Sequence, residues 1–382
     1  MASLQALLPL PEPPPSPVLA YSRESFSAIP LPGRMAAYPE LRYMGSKHRL
    51  LPWIHGVLRG LPFETAADPF VGSGCVAYLL KCMGKEVAAS DFLNFPSVLA
   101  EATVANSEWL LDESAVRTLQ QPRANGPNFI EQTFAGIFYS VEDLRFLDRV
   151  SGNLDQLAHP HQRALAKAAL IRSCLKKQPR GVFTVSGDLS HYNDGRRDLR
   201  LSLEAHFLEQ AQVFNKVVFN NGRVNTAGRA DVFAPASSPE QSNRKNDPAR
   251  VDLVYLDPPY VPRADDNCYM KRYHFLEGLS CYWKDQRIME ATKVKKIEKP
   301  FTPFSYRKTA IAAFDRLFSQ YRNSIIVLSY SSNGYPDRRE LEALLRRYKR
   351  QVTAYEKPHR YHFGTHEGVE RASVHEYLIV GQ

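Results

Sequence analysis

The residues with the clearest chemical potential are a carboxylate, two prolines and an aromatic ring at 257–260, Asp-Pro-Pro-Tyr. They follow an apolar run at 251–256 that is typical of a buried strand. Proline lacks a backbone N–H and fixes φ, so the turn is stiff and its carbonyl oxygens are left to accept hydrogen bonds. With the carboxylate and the ring, such a turn can hold a flat base that carries an amino group. By itself, the tetrapeptide is equally compatible with an ordinary proline turn after a strand.

A second candidate site is the glycine-rich turn at 68–74, Asp-Pro-Phe-Val-Gly-Ser-Gly, between a predicted strand at 64–68 and a predicted helix at 75–83. Glycine lets a ligand approach the backbone, and the N-terminus of the following helix favours negative charge. The turn is neither the G-x-G-x-x-G dinucleotide motif nor a phosphate loop with Lys-Ser/Thr. Asp91 ends the next predicted strand, where a carboxylate can hold both hydroxyls of a ribose. The two features favour a nucleoside-containing cofactor over a triphosphate.

The elements that must position these residues alternate between strands and helices. The strands are predicted at 64–68, 86–90, 223–226, 251–256, 324–329, 352–355 and 374–380, and the clearest helices at 75–83, 164–171 and 199–218. Strands that alternate with helices indicate a parallel sheet covered on both faces. Because no good helix separates the last two strands, we expect them to be an antiparallel pair at one edge.

Composition divides the chain into three parts. Residues 1–37 form a proline-rich tail that we expect to be disordered, with Met35 as the natural start or the tail dispensable. Residues 38–128 and 221–382 contain the alternating strands and helices. Residues 129–220 lack strand alternation and are predicted to form a mostly helical subdomain inserted into the sheet domain.

The bulk composition narrows the class of protein. The 382 residues carry a formal net charge of +9, and this excess of Lys and Arg indicates a polyanionic partner. The five cysteines are scattered without C-x-x-C spacing, so neither disulfides nor a metal site is indicated and a reducing cytoplasm is expected. No apolar run is long enough to span a membrane, and the N-terminus lacks the pattern of a secretory signal.

The two turns, in this order, resemble those of the amino-group DNA methyltransferases, which use S-adenosylmethionine. Asp-Pro-Phe-x-Gly-x-Gly at 68–74 precedes Asp-Pro-Pro-Tyr at 257–260, with the helical region between them. Tyr-Met-Gly-Ser-Lys at 43–47 is similar to the N-terminal motif of the Dam-type, or alpha-group, adenine-N6 branch, and residues 134–148 add further similarity. The resemblance covers roughly residues 38–382.

The resemblance implies a Rossmann-like seven-stranded methyltransferase sheet, mostly parallel with an antiparallel edge strand. Residues 38–128 and 221–382 would be the catalytic domain, and residues 129–220 a mainly helical target-recognition subdomain. The reaction implied is methyl transfer from S-adenosylmethionine to N6 of a flipped-out adenine in double-stranded DNA. A cognate restriction endonuclease that acts separately is left open as a partner, no membrane is expected, and the location would be a prokaryotic cytoplasm near the nucleoid.

The family pattern also implies roles in cofactor binding. Lys47 would neutralise the carboxylate of the cofactor, Asp91 would bind the ribose hydroxyls, and Asp231 would face the adenine amino group. The full set implied is Tyr43, Lys47, Asp68, Phe70, Gly72, Gly74, Asp91, Asp231, Val232 and Asp257. Two alternatives remain open: Lys47 could be a solvated lysine at a helix start, and Phe233 could be a plain core residue.

The resemblance further implies that Asp257, Pro258 and Tyr260 are catalytic. The exocyclic amine of adenine is a poor nucleophile because its lone pair is delocalised into the ring. The Asp257 carboxylate and the Pro258 carbonyl can accept its two N–H bonds, which draws the nitrogen toward tetrahedral geometry and stabilises developing positive charge. Tyr260 would stack on the base, which has to leave the duplex to reach the pocket.

Basic segments are candidates for contact with DNA. One flanks a predicted loop at 181–195 that contains His191 and Tyr192, another is interleaved with aromatic residues at 301–306, and a third lies at 359–364. The members of the first two are Lys176, Lys177, Arg180, Arg196 and Arg197, and Lys293, Lys295, Lys296, Lys299, Arg307 and Lys308. Such residues bind phosphates and add affinity without sequence information. Either of these two clusters is also compatible with a solvated charged face.

Three other functions stay open on the sequence. Two rival enzymes would methylate N4 of cytosine in DNA or N6 of adenine in RNA. Asp257 favours adenine, because the cytosine-N4 enzymes usually have Ser at that position. The third alternative is a catalytically idle DNA-binding subunit, which would have no physical need for Asp257 or Lys47.

Overall fold

The computed structural model describes residues 18–20, 29–123, 125–184, 194–234, 250–261, 268–360 and 373–382. Several predicted features lie outside these ranges. They are His191 and Tyr192 of the predicted loop, residues 361–364 of the third basic segment, and most of the proline-rich tail.

The strands form one large sheet and a separate hairpin. In chain order they are β1 (Val18–Ala20), β2 (Thr65–Asp68), β3 (Glu86–Asp91), β4 (Thr226–Arg229), β5 (Leu253–Leu256), β6 (Ile288–Met289), β7 (Lys296–Ile297), β8 (Ile325–Ser331), β9 (Val352–Arg360) and β10 (Ser373–Gly381). The sheet has the order β4-β3-β2-β5-β8-β10-β9-β1, and β6 pairs with β7. β10 is antiparallel to both neighbours, and the other neighbouring strands of the sheet are parallel.

The predicted Rossmann-like architecture is confirmed. The seven predicted strands are present, the last two form the predicted antiparallel pair, and β1 extends the sheet beyond β9. One boundary differs, because the strand predicted at 223–226 begins only at Thr226. Gly222 turns the chain with a φ of +77°. The Asn225 side chain then accepts a hydrogen bond from Val87 N–H of β3, in place of a backbone group.

The helices pack on the two faces of the sheet. In chain order they are α1 (Leu51–Arg59), α2 (Cys75–Cys82), α3 (Asn94–Ala100), α4 (Glu113–Gln120), α5 (Phe129–Phe134), α6 (Val141–Asn153), α7 (Pro160–Lys177), α8 (Arg197–Arg200), α9 (Leu203–Val217), α10 (Tyr269–Cys281), α11 (Arg307–Gln320) and α12 (Arg338–Arg346). The helices predicted from the sequence correspond to α2, the middle of α7, and α9 with the end of α8. Within the described ranges, no helix has both the length and the apolar character needed to cross a membrane.

Alternate residues of the central strands belong to two apolar clusters. Leu253 and Tyr255 of β5 lie in the first cluster, with residues of α1, α2 and α3. Val254 and Leu256 of the same strand lie in the second cluster, with residues of α11 and α12. Because successive side chains of a strand point to opposite faces, this division shows that the sheet is covered on both sides.

The helices between α5 and α9 share the first cluster. Phe134, at the end of α5, meets Phe275 of α10 edge-on, with ring centroids 5.0 Å apart. Tyr139 donates a 2.8 Å hydrogen bond to the Cys174 carbonyl of α7, and α7 packs against both α3 and α9. The helical block is thus held against the sheet by buried contacts. Its role as a target-recognition subdomain stays a prediction.

Two parts of the predicted disordered tail belong instead to the fold. Val18–Ala20 is the strand β1, which pairs with β9. Gly33–Ala37 forms a short 3-10 helix, and its Met35 is 4% exposed within the first apolar cluster. Burial of this methionine gives the segment a hydrophobic contact that its proline-rich composition did not indicate.

Candidate active site

Three aspartates stand at the carboxyl ends of neighbouring parallel strands. Asp68 is the last residue of β2, Asp91 is the last of β3, and Asp257 follows the last residue of β5. Because β3, β2 and β5 are adjacent, the three side chains meet at one edge of the sheet, where open α/β folds bind ligands. All three line one cavity, here called the main cavity. Four further predicted residues also line it: Tyr43, Lys47, Phe70 and Gly72.

The turn after β2 brings its backbone close to the main cavity. Gly72 has a φ of +51°, and its N–H donates a 3.0 Å hydrogen bond to Asp91 Oδ2. A Cβ on Gly72 would lie 3.1 Å from Tyr43 Cε1. Gly74, with a φ of +79°, lies outside the cavity lining and caps the N-terminus of α2. A Cβ there would collide with Tyr38 Oη, so both positions require glycine.

Asp91 is oriented by two backbone donors. Gly72 N–H binds one carboxylate oxygen, and Leu93 N–H binds the other at 2.9 Å. Burial raises the pKa of Asp91 to about 7, although these hydrogen bonds favour the ionised form. A carboxylate in this position gains from strong hydrogen-bond donors on a ligand, and two ribose hydroxyls would supply them.

Lys47 and Asp257 form an ion pair inside the main cavity. Lys47 Nζ lies 2.7 Å from Asp257 Oδ2 and donates to the Gly45 carbonyl at 2.9 Å. The Lys47 side chain is 5% exposed, so it is not a solvated surface lysine. Burial opposes its charge, but the carboxylates of Asp257 and Glu376 outweigh this and raise the pKa of Lys47. Burial raises the pKa of Asp257 to about 6, and Lys47 limits that rise.

Tyr260 is anchored by an acidic residue that the motifs did not predict. Its hydroxyl donates a 3.0 Å hydrogen bond to Glu376 Oε2, and its ring meets that of Tyr330 edge-on at 4.9 Å. Lys47 Nζ lies 5.0 Å from the centroid of the same ring. Glu376 is 1% exposed, in the middle of β10. A glutamate within the mostly apolar run at 374–380 is a signal that the sequence contained.

The Asp-Pro-Pro-Tyr turn does not face the main cavity along its whole length. Asp257 and Pro259 line the cavity, whereas Pro258 and Tyr260 lie beyond its lining. Pro258 is buried, and Tyr260 is partly exposed. The turn therefore borders the cavity with its carboxylate and points its aromatic ring to one side.

Aromatic side chains form much of the cavity wall. Tyr43 stacks on Tyr273 and Tyr269 of α10, with centroids 5.1 Å and 5.5 Å apart. Phe70 packs edge-on against Phe304 at 5.6 Å. The residues of α10 and Phe304 belong to none of the sequence motifs, and only the fold brings them close to the turn after β2.

Asp231 and Val232 line a second cavity that adjoins the main one. The two cavities share Phe70 and Phe304. Asp231 is exposed, and its Oδ1 accepts a 2.9 Å hydrogen bond from Phe233 N–H. Phe233 stacks on Phe304 at 5.7 Å and packs on the second apolar cluster, so it belongs to the wall between cavity and core.

Most of the first predicted DNA-binding cluster is ion-paired within the protein. The pairs are Lys176 with Asp198 at 2.9 Å, Lys177 with Asp143 at 2.9 Å, Arg196 with Asp194 at 2.6 Å, and Arg197 with Glu209. Lys177 is 11% exposed, so its charge is neutralised by Asp143 inside the helical block and is not available to DNA. Arg180 is exposed and lines a groove with Lys176 and Arg196. The groove shares Tyr43 with the main cavity and so leads from the basic cluster to the site.

The second predicted DNA-binding cluster lies on the β6–β7 hairpin and at the start of α11. Its members are Lys293, Lys295 and Lys296 on the hairpin, Lys299 just after it, and Arg307 and Lys308 on the helix. Lys295 is ion-paired at 2.8 Å with a glutamate of the same hairpin, and the Arg307 guanidinium lies 4.1 Å from the Tyr335 ring centroid. Lys293 and Lys308 are exposed, so they are the members most available to a partner.

The main cavity fits a nucleoside joined to an amino acid. Asp91 suits the two hydroxyls of a ribose, and the walls formed by Phe70, Phe304 and Tyr43 suit flat or apolar groups. Lys47 and Asp68, which line the same cavity, offer both signs of charge to a zwitterion. S-adenosylmethionine has each of these parts.

Known proteins are similar to this chain in sequence. Residues 43–180 match the family described as D12 class N6 adenine-specific DNA methyltransferase. The chain is also 30% identical over 340 residues to the type II methyltransferase M2.HphI of Haemophilus parahaemolyticus. The aligned region covers 85% of this chain and 92% of that protein. The chain belongs to the D12 class of N6 adenine-specific DNA methyltransferases.

More distant relatives agree with this assignment of the D12 methyltransferase. It is 23% identical over 325 residues to the modification methylase LlaI of Lactococcus lactis subsp. lactis, of which it spans 49%. It is 27% identical over 149 residues to the type II methyltransferase M.FokI of Planomicrobium okeanokoites, of which it spans 22%. The prediction of a site-specific adenine DNA methyltransferase is therefore confirmed, and the cytosine-N4, RNA and idle-subunit alternatives are set aside.

Proposed function

We propose that the D12 methyltransferase transfers the methyl group of S-adenosylmethionine to N6 of an adenine that is flipped out of double-stranded DNA. The observation that carries this proposal is the buried Lys47–Asp257 ion pair of 2.7 Å, at the point where the main cavity meets the Asp-Pro-Pro-Tyr turn. Asp257 is 18% exposed, so a base has to leave the stack to bring its amino group to this carboxylate.

Asp257 and Pro258 would hold the amino group that is methylated. The carboxylate accepts one N–H and the Pro258 carbonyl accepts the other, which takes the nitrogen lone pair out of conjugation with the ring. Positive charge develops on this nitrogen as the methyl group arrives, and a carboxylate in a water-poor site stabilises it. Afterwards the nitrogen is acidic enough to lose its extra proton without a strong base.

Lys47 would keep Asp257 in the productive orientation. The ammonium group lies 2.7 Å from Asp257 Oδ2 and is held in place by its hydrogen bond to the Gly45 carbonyl. Lys47 also favours the ionised carboxylate, since it opposes the effect of burial on the pKa of Asp257. The ion pair therefore preorganises the acceptor before the base arrives.

Tyr260 would hold the face of the extruded adenine. Its ring is fixed on one side by the Tyr330 ring at 4.9 Å and at its hydroxyl by Glu376 at 3.0 Å. A stacked base of this kind is worth about 1–3 kcal/mol in nucleic-acid complexes. Tyr260 thus supplies affinity for any base, and Asp257 selects one with an amino group.

S-adenosylmethionine supplies an electrophilic methyl group on a sulfonium when it is bound. We assign its ribose to Asp91, its amino-acid part to the region of Lys47 and Asp68, and its adenine to the adjoining cavity of Asp231 and Val232. The aromatic residues Phe70, Phe92 and Phe304 line both cavities, which supports this assignment.

DNA would approach along the groove that contains Arg180 and along the hairpin that contains Lys293. Both residues are exposed, whereas Lys176 and Lys295 of the same clusters form ion pairs with carboxylates of the protein. We propose the helical block at 129–220 as the target-recognition subdomain. A separately acting restriction endonuclease is proposed as the functional partner, in line with the names of the relatives.

Methyl transfer from tritiated S-adenosylmethionine to plasmid DNA tests this function. Nucleoside analysis of the product should show N6-methyladenine, and modification-aware sequencing should show one recognition sequence. Asp257→Ala should lose transfer by about a hundredfold to a thousandfold while still binding S-adenosylhomocysteine, in keeping with the loss of a preorganised electrostatic group. Label in another base, or full activity of the variant, would overturn the proposal.

A further inference from the structure

Tyr255 has a buried hydroxyl with no hydrogen-bond partner in the described part of the chain. The residue lies on β5, two positions before Asp257, and is 1% exposed. It packs in the first apolar cluster and also lines the main cavity. A buried polar group without a partner is destabilising, so one at the wall of a ligand cavity indicates that the ligand completes it.

Other buried tyrosines of this chain do not share the feature. Tyr38, Tyr78 and Tyr139 each donate to a backbone carbonyl, at 2.7, 2.9 and 2.8 Å. Tyr330 donates to a carbonyl at 2.6 Å. Within the described ranges, Tyr255 is the one tyrosine whose buried hydroxyl lacks a hydrogen-bond partner. The fold therefore satisfies such hydroxyls elsewhere and leaves this one at the cavity.

The Tyr255 hydroxyl is a hydrogen-bond donor under ordinary conditions. Burial, and then the charge of Asp257, raises its pKa well above the usual value. The Ser329 hydroxyl is close enough to oppose this in part, but it does not meet the geometry of a hydrogen bond with Tyr255. Because the phenol keeps its proton, it is suited to an acceptor on the ligand. An anionic acceptor would gain most, since hydrogen bonds to charged groups are the stronger ones.

The surroundings of Tyr255 carry both signs of charge. Lys47 and Asp68 line the same cavity, and Cys75, the first residue of α2, lines it beside them. A helix N-terminus and a lysine favour a carboxylate. Asp68 is 1% exposed, and burial raises its pKa well above the usual value, so a cation on a ligand would favour its ionised form. Together these groups suit the carboxylate and ammonium of an α-amino acid.

We infer that Tyr255 is a ligand-binding residue whose hydroxyl donates a hydrogen bond to the α-carboxylate of the methyl donor, beside Lys47. The inference rests on the proposed use of S-adenosylmethionine. Tyr255 would thus contribute to cofactor affinity, although it lies inside β5 and outside the sequence motifs. Asp257 and Pro258 would still bind the amino group of the target adenine.

Calorimetric binding of two ligands to Tyr255→Phe tests the inference. S-adenosylhomocysteine has the amino-acid carboxylate, and 5′-methylthioadenosine lacks the whole amino-acid part. The variant should bind S-adenosylhomocysteine about tenfold or more weakly, as expected for loss of a hydrogen bond to a charged group. Its affinity for 5′-methylthioadenosine should equal that of the wild type. The melting temperature of the ligand-free variant should be equal or higher, because the substitution removes an unpaired buried group.

Tyr139→Phe is the matched control. Its hydroxyl is buried but satisfied by the Cys174 carbonyl, so this variant should melt at a lower temperature and bind both ligands like the wild type. Unchanged binding of S-adenosylhomocysteine to Tyr255→Phe would overturn the inference, and so would an equal loss for both ligands. If the wild type itself bound no S-adenosylhomocysteine, the proposed function would fail as well, and the two failures are thereby distinguished.

Discussion

At the scale of single residues, the site depends on carboxylates whose ionisation is opposed by burial. Asp91 and Asp257 both have raised pKa values, of about 7 and about 6. Each is held by groups that favour its charge: two backbone N–H groups for Asp91, and Lys47 for Asp257. The balance places both titrations close to neutral pH, where in the proposed mechanism they would affect turnover.

We expect kcat/KM for the methyl donor to fall as the pH decreases through about 7 and to fall more steeply below about 6, the pKa values of Asp91 and Asp257. This ratio follows the ionisations of the free enzyme. In the proposed mechanism both residues act as carboxylates, so protonation would remove an acceptor in each case, whereas Lys47 stays charged because its pKa is raised. Initial rates of tritium transfer across this range would show the two steps.

Asp91→Asn is the control for the assignment of these steps. The variant cannot titrate at this position, so the upper step should disappear while the lower step remains. A profile that stays flat down to about pH 5 in the wild type would contradict the ionised role of Asp257, whose pKa is about 6.

Glu376 and Tyr260 should act as one unit. Tyr260→Phe removes the 3.0 Å hydrogen bond that fixes the ring, and Glu376→Gln takes away its charged acceptor, so each should lower the single-turnover rate by about tenfold. The double variant should be little slower than either single variant, because the same contact is removed twice. His375→Gln, on the neighbouring and more exposed residue of β10, serves as the control for strand damage. A double variant whose loss equals the product of the single losses would exclude the coupling.

At the scale of elements, the carboxyl ends of β2, β3 and β5 determine where chemistry can occur. These strands are adjacent and parallel, so the residues that follow them converge without any further device. The turn between β2 and α2 then decides how close the backbone comes to a ligand. Its glycines have positive φ values and near neighbours, so this turn has little tolerance for a side chain.

Gly74→Ala should be more destabilising than Gly84→Ala. The two glycines have φ values of +79° and +78°, so both variants incur the same backbone strain, about 1–3 kcal/mol. Gly84 has open space around it, whereas a Cβ at Gly74 collides with Tyr38 Oη. Urea unfolding should therefore show a larger loss at Gly74, and Tyr38→Phe should restore part of it. Equal losses in the two variants would show that the collision is relieved at no cost.

At the scale of the whole molecule, one sheet supports both the site and the surfaces that would meet DNA. The first apolar cluster joins the helical block to the same helices that flank the glycine turn. The groove with Arg180 opens into the main cavity through shared residues. A change in the packing of the helical block would therefore be transmitted to the site through these side-chain contacts.

Deletion of residues 1–28 should leave stability and methyl transfer nearly unchanged, whereas deletion of residues 1–37 should reduce both. The shorter deletion removes β1, which is only three residues long and pairs at the edge of the sheet. The longer one also removes Met35, which is 4% exposed, and loss of a buried methionine side chain costs about 2–5 kcal/mol. Unfolding by urea would measure the difference, and Met35→Ala should reproduce most of it. Equal stability of the two truncated proteins would contradict this role of Met35.

The sequence by itself determined the sheet architecture and the position of the chemistry. Strand periodicity, glycine in a tight turn and proline after a strand are local effects, so they could be read without knowing what the chain packs against. The same locality explains why the three aspartates were found: each ends or follows a strand. The resemblance to the methyltransferase family was carried by the same local motifs, and the match to known proteins showed the membership.

Only the tertiary structure decided which residues complete the site. Glu376 reaches Tyr260 from another strand, the tyrosines of α10 reach Tyr43 from a distant helix, and Tyr255 shows its unpaired hydroxyl only once the core is packed. Ion pairing within the basic clusters was equally invisible, because an acidic partner far along the chain decides whether a lysine is free to meet DNA. These properties depend on distances between segments that are far apart in sequence, and folding alone sets those distances.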